Sequence, residues 1–219
     1  MEQYITYIII GITVFVSWQA WQNFNLFERL KFQMSAIVDG KQYDRMFTSA
    51  FVHADWMHLF FNMFVLYTFM PVLLSIFSAQ MCVLIYIAAI LSGSLFTILF
   101  HRKDKWYSAV GASGGVSGIV FSAIMLYPDL PLTIIFFPFF SFPGWAFGLI
   151  YLGYSLFGMK NNVGNLGHAA HLGGSIAGIL LTALLVPASV FQINIIFLIG
   201  IIVMIIAMGI MAYKENVRR

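Results

Sequence analysis

Charge is scarce in this chain: 9% of its 219 residues are Asp, Glu, Lys or Arg, where a soluble domain carries about 25%. With 61% hydrophobic residues and a mean hydropathy of +0.92, that shortage excludes a water-soluble globule and indicates an integral membrane protein. Cysteine is scarcer still. A lone Cys82 inside an apolar run rules out a disulfide framework within one chain. No ten-residue alternation of the membrane-barrel kind is present, and backbone groups in lipid must bond internally, so a helical bundle remains. The basic residues form no stripe and the net charge is only +3, which gives nucleic acid no footing. No internal repeat is visible, which argues against transporters built from repeated halves.

Acidic residues are missing where hydrolytic chemistry most often needs them. No Glu lies between Glu28 and Glu215, so a zinc-peptidase set such as H-E-x-x-H cannot be assembled, and no metal is expected. None of the eight acids falls mid-span, which removes an aspartyl dyad.

What is present is a series of apolar runs long enough to cross about 30 Å of hydrocarbon as helices. They predict seven spans, at roughly 4–20, 57–77, 80–100, 113–127, 144–158, 168–186 and 191–212, in one domain covering 1–219. The first run lacks a basic leader, and Trp18, Trp21 and Phe24 follow it rather than small residues, so it reads as a retained span with an aromatic belt. The loop after it holds Glu28, Arg29, Lys31, Asp39, Lys41, Asp44 and Arg45 among aromatics, and predicts short helices in the headgroup layer. From Thr133 to Phe142 an apolar stretch broken by Pro138 predicts a loop packed against the bundle. With seven spans all eleven Lys/Arg fall on one side, which the positive-inside rule places in the cytoplasm.

Two motifs stand out against this background: Gly111-Ala112-Ser113-Gly114 and Ala170-His171-Leu172-Gly173-Gly174, each opening a span from the basic side. With zinc and paired carboxylates excluded, a serine activated by a histidine is the hydrolytic chemistry that remains. The histidine takes the hydroxyl proton during attack and returns it to the leaving amine. Ser117, one turn after Ser113, lies in a similar glycine context; position nearer the wet end favours Ser113. A span serine more often bonds the preceding turn, and a lone interfacial histidine as often serves a backbone carbonyl. His171 is favoured over His168 by its glycine context, and His53 and His168 read as structural. His58 and Asn62 share one helix face and could join the Ser113 N–H in holding an oxyanion.

The ordered set resembles the rhomboid family of intramembrane serine proteases: Arg45, then His53-x4-His58-x3-Asn62, Gly111-x-Ser113-Gly114 and Ala170-His171-x-x-Gly174-x3-Gly178. It spans runs two to six. The resemblance implies an all-α polytopic membrane protein, a rhomboid-like six-helix bundle plus one extra C-terminal transmembrane helix. It implies Ser113 as nucleophile and His171 as base. His58, Asn62 and Gly114 become oxyanion and substrate-binding residues, with Arg45, Gly111, Gly174 and Gly178 as structural support. The expected partners are membrane-protein substrates with transmembrane helices and the lipid bilayer; no cofactor is implied, and the oligomeric state is left unset. The family also implies that the segment Trp145 to Asn162 gates substrate access.

Two positions depart from the family pattern. A tryptophan–arginine pair of the family is Asp44-Arg45 here, and the aromatic that many members carry four residues after the serine is Ser117. The expected location is a bacterial cytoplasmic (inner) membrane. Bacterial members open their sites outward, whereas the Lys/Arg distribution taken literally places this one inside, so the side to which the site opens is left unset. The alternative to a protease is an inactive relative that binds or extracts membrane helices.

Overall fold

Asn23 separates the first two helices: its side-chain oxygen accepts the Leu26 N–H at 3.1 Å from an extended backbone. The computed structural model describes residues 2–134, 137–161, 167–186 and 195–217. In chain order it contains α1 (Tyr4–Gln22), α2 (Phe24–Leu30), strand β1 (Phe32–Gln33), α3 (Met34–Val38), α4 (Arg45–Thr48) and a 3-10 turn at Ser49–Phe51. There follow α5 (Trp56–Leu74), α6 (Ala79–His101), β2 (Ser108–Ala109), α7 (Ser113–Leu126), β3 (Pro131–Ile134), β4 (Phe137–Pro143), α8 (Gly144–Asn161), α9 (His168–Leu185) and α10 (Ile195–Val217). Each of the seven apolar runs thus carries a helix, in an all-α polytopic arrangement. Positions 191–194 of the last predicted span lie outside the described residues.

Among the described residues, α1, α5, α6 and α9 are long and apolar enough to cross a bilayer. Helix α7 is shorter. Its 14 residues span roughly 21 Å at about 1.5 Å per residue, less than the hydrocarbon thickness of about 30 Å. Every residue from Gly114 to Leu126 is buried, the signature of a helix enclosed on all sides. It packs against α5, α6, α8 and α9. Its first residue, Ser113, lines a cavity left between it and the surrounding elements.

Close approach of α7 and α9 depends on glycine. A β-carbon on Gly174 would overlap the Gly114 carbonyl oxygen, and one on Gly178 the Gly118 carbonyl oxygen. Polar side chains also hold α9: Ser122 Oγ of α7 donates to the Gly178 carbonyl at 3.1 Å, and Ser92 Oγ of α6 to that of Gly173 at 2.9 Å.

The long first loop forms the short helices expected of it. Arg45 ties them together, with its Nη1 on the carbonyls of Glu28 (2.7 Å) and Lys31 (2.9 Å) and its Nε on Gln42 Oε1 (2.6 Å). The residue is buried, and burial lowers its pKa. Strand β1 pairs antiparallel with β2, Phe32 opposite Ala109, fastening this loop to the segment that leads into α7.

One expectation is corrected here. The stretch between α7 and α8 is an antiparallel ribbon, β3 with β4, not an irregular packed loop. Pro131 pairs with Pro143 at its base, where a missing N–H costs least. Phe139 and Phe140 are exposed at 95% and 64%, so these rings do not pack on the bundle.

Candidate active site

The segment Gly111-Ala112 is pulled into place from three directions. The Gly111 N–H donates to the Ser49 carbonyl at 2.9 Å, and the Ala112 N–H donates to His53 Nε2 at 3.2 Å. Gly111 has φ +121°, where a side chain would be strained, and a β-carbon there would come within 2.6 Å of the His58 ring. His58 therefore rests directly against the residue two before Ser113. Its own backbone is fixed by Asp55, whose Oδ1 accepts the His58 N–H at 2.8 Å and caps α5.

His53 is fully buried. Because its Nε2 accepts from Ala112, its Nδ1 carries the hydrogen and donates to Ser17 Oγ at 3.0 Å; that hydroxyl donates to the Phe51 carbonyl at 2.9 Å. Trp21 Nε1 donates to the His53 carbonyl at 2.7 Å. Burial, and next the neighbouring His58, push the His53 pKa down to about 3, so the ring is neutral.

Ser113 opens α7, and His171 lies in the first turn of α9. His171 Nε2 and Ser113 Oγ are 2.8 Å apart, within proton-transfer reach. Both face a cavity of about 1040 Å³ that also reaches His58, Met57, Phe61 and His168. The amides at the start of a helix have no partner within it, so the α7 N-terminus presents N–H groups and a partial positive charge beside Ser113. No ion pair among the described residues includes His171.

An aromatic ring lies against the face of the His171 imidazole. Tyr151 of α8 stacks on His171, ring centroids 5.9 Å apart at 28°, and its hydroxyl bonds Ser117 Oγ at 2.8 Å. The sequence showed only that Ser117 stood where many rhomboids have an aromatic. The ring comes from another helix, and no local pattern around Tyr151 announces it.

Gly114 lines the cavity, and a β-carbon there would meet the Ala170 carbonyl oxygen of α9 at 3.3 Å. Asn62 is buried and one step removed from the lining; its Nδ2 donates to the His58 carbonyl at 2.9 Å, leaving its second N–H for any further acceptor. His168 packs into the notch at Gly158 of α8 and meets Tyr154 edge-on at 5.5 Å. Gly174 and Gly178 hold α9 against α7, and Arg45 stays in the first loop, away from the cavity. Of the segment Trp145 to Asn162, position 162 lies outside the described residues, and the rest is α8.

Comparison with known proteins identifies the family of the fold. The family model described as the Rhomboid domain matches residues 40–188, more than half of the chain. RHOMBOID-like protein 12, mitochondrial, of Arabidopsis thaliana is 27% identical over 77% of this chain and 54% of its own length. Rhomboid protein 1, mitochondrial, of Saccharomyces cerevisiae is 29% identical over 78% of this chain and 49% of its own. The human presenilin-associated rhomboid-like protein, mitochondrial, is 27% identical over 61% and 36% respectively. The chain spans about half the length of the first two relatives. These names overturn the expectation of a bacterial cytoplasmic membrane, since plant, yeast and animal relatives alike are designated mitochondrial. A polytopic helical bundle with this order of motifs, matched across its core by the family model, belongs to the rhomboid family.

Proposed function

We propose that this chain is an intramembrane serine endopeptidase that cuts membrane-protein substrates in or near their transmembrane helices. The observation that carries the reading is the 2.8 Å contact between His171 Nε2 and Ser113 Oγ, both of which line the cavity. Ser113 Oγ attacks the scissile carbonyl carbon while its proton passes to His171 Nε2. The carbonyl oxygen becomes an oxyanion facing the α7 N-terminus, with the Ser113 N–H, Gly114, His58 and Asn62 as its binding residues. Collapse breaks the C–N bond, and the proton moves from Nε2 to the departing amine. Water then attacks the acyl-serine with His171 again accepting a proton, which frees the acid and restores the hydroxyl. No metal or cofactor enters this sequence.

A helical substrate hides its carbonyls in internal hydrogen bonds, so cutting requires local unwinding. Helix-weakening Gly, Pro or polar residues near the cut, and a small residue just before it, are the substrate features this chemistry favours. The names of the relatives support a mitochondrial membrane as the setting.

The test is cleavage of a model transmembrane substrate by the purified protein in proteoliposomes. Product formed by wild type and absent with Ser113→Ala supports the reading; equal product from both removes it. An inactive helix-binding relative would bind the substrate and yield no product from either protein.

A further inference from the structure

Tyr151 is the only aromatic stacked on His171 among the described residues, and it reaches that ring from α8 rather than from the helix that carries the serine. Three contacts hold it in position. Phe121 of α7 packs against it at 5.7 Å and Phe147 at 6.1 Å, while its hydroxyl is held by Ser117 Oγ at 2.8 Å. The other sides of the His171 ring are less constrained. His168 meets it edge-on at 6.2 Å, Ser113 Oγ holds its Nε2 at 2.8 Å, and Ser175 Oγ donates to the His171 carbonyl at 2.8 Å, a bond to the main chain and not to the imidazole. A histidine without an acid on its second nitrogen needs another means of holding its plane, and an offset-stacked ring supplies one.

We infer that Tyr151 is the positioning residue for His171: its ring holds the imidazole plane in line with Ser113, and Ser117 serves to hold Tyr151. The inference rests on the serine–histidine reading above. Because the platform stands on α8, alignment of the dyad depends on where α8 packs against α7 and α9. The ring does the positioning, and the hydroxyl only steadies the ring, so Tyr151→Phe and Tyr151→Leu separate the two roles.

The experiment measures kcat and KM for a model transmembrane substrate in proteoliposomes, alongside thermal unfolding, for wild type, Ser113→Ala, Tyr151→Phe, Tyr151→Leu and Tyr151→Met. Tyr151→Phe is expected within roughly threefold of wild type, rescued by the retained ring. Tyr151→Leu and Tyr151→Met are expected to lose about tenfold or more in kcat with KM within about twofold, the mark of a lost transition-state alignment. The methionine variant fills the space flexibly, so a folded ringless protein is obtained even where leucine leaves a cavity. A folded Tyr151→Leu or Tyr151→Met with wild-type kcat overturns the inference, as does a kcat loss in Tyr151→Phe equal to theirs. Cleavage that survives Ser113→Ala overturns the serine–histidine reading instead, so the two failures are told apart within one series.

Discussion

The Ala112 N–H donates to the buried Nε2 of His53 at 3.2 Å, joining the residue before the candidate nucleophile to a ring 59 positions away. Through Nδ1 that ring reaches Ser17 of α1 at 3.0 Å. The first span is therefore linked to the backbone that presents Ser113.

Acid should weaken this link. With a folded pKa of about 3 against an ordinary 6.5, His53 stays neutral while the unfolded chain takes up a proton, so stability is full above pH 6.5 and falls between 6.5 and 3. Thermal or chemical unfolding at pH 8 and pH 5 should differ by up to roughly 2 kcal/mol from this group. His53→Gln should flatten that slope and lower activity; an unchanged slope contradicts the assignment.

Gly174→Ala and Gly178→Ala should each cost roughly 1–3 kcal/mol, because the added methyl meets a carbonyl oxygen of α7 that is itself backbone. Separation of α7 and α9 would also part Ser113 from His171, so activity should fall at temperatures where the variants remain folded. Gly11→Ala, where a β-carbon meets nothing within 4 Å, is the control and should unfold like wild type. Unfolding midpoints with activity at each temperature decide this.

Arg45→Ala should leave the carbonyls of Glu28 and Lys31 without a donor and loosen the first loop, at a cost of roughly 1–3 kcal/mol. Arg45→Lys should recover little, since an ammonium cannot reproduce the planar fork. Arg29→Ala should cost less than about 1 kcal/mol, because its 2.7 Å pair with Asp44 is about half exposed on both sides. Hydrogen exchange across residues 24–48 reads out all three variants.

Gly111→Ala should lower kcat by at least about tenfold. Its φ of +121° disfavours any side chain, and the methyl would press on His58 within 2.6 Å. Wild-type kcat in that variant would dissociate the Gly111 conformation from the site.

The spans were legible because a bilayer demands long apolar runs, and seven such runs stand out between charged loops on one side and short, nearly uncharged connections on the other. The short α7 was legible too, since its glycines and serines start late and Pro128 ends it early. The β3–β4 ribbon was not. Prolines at its base and a run of phenylalanines resemble a loop, and only pairing across the turn makes them strands. Within the site, Ser113 and His171 announce themselves by the small residues that flank them. Tyr151 and the His53–Ala112 bond do not, because a contact between helices dozens of residues apart leaves no mark in either local sequence.

The account turns on one hydroxyl made nucleophilic by one imidazole. The most direct measurement is the site of covalent modification by a fluorophosphonate, mapped by mass spectrometry in wild type and in His171→Ala. The account predicts a single adduct on Ser113 that is lost in His171→Ala. An adduct on Ser117, or Ser113 labelling that persists at the wild-type rate without His171, would contradict it.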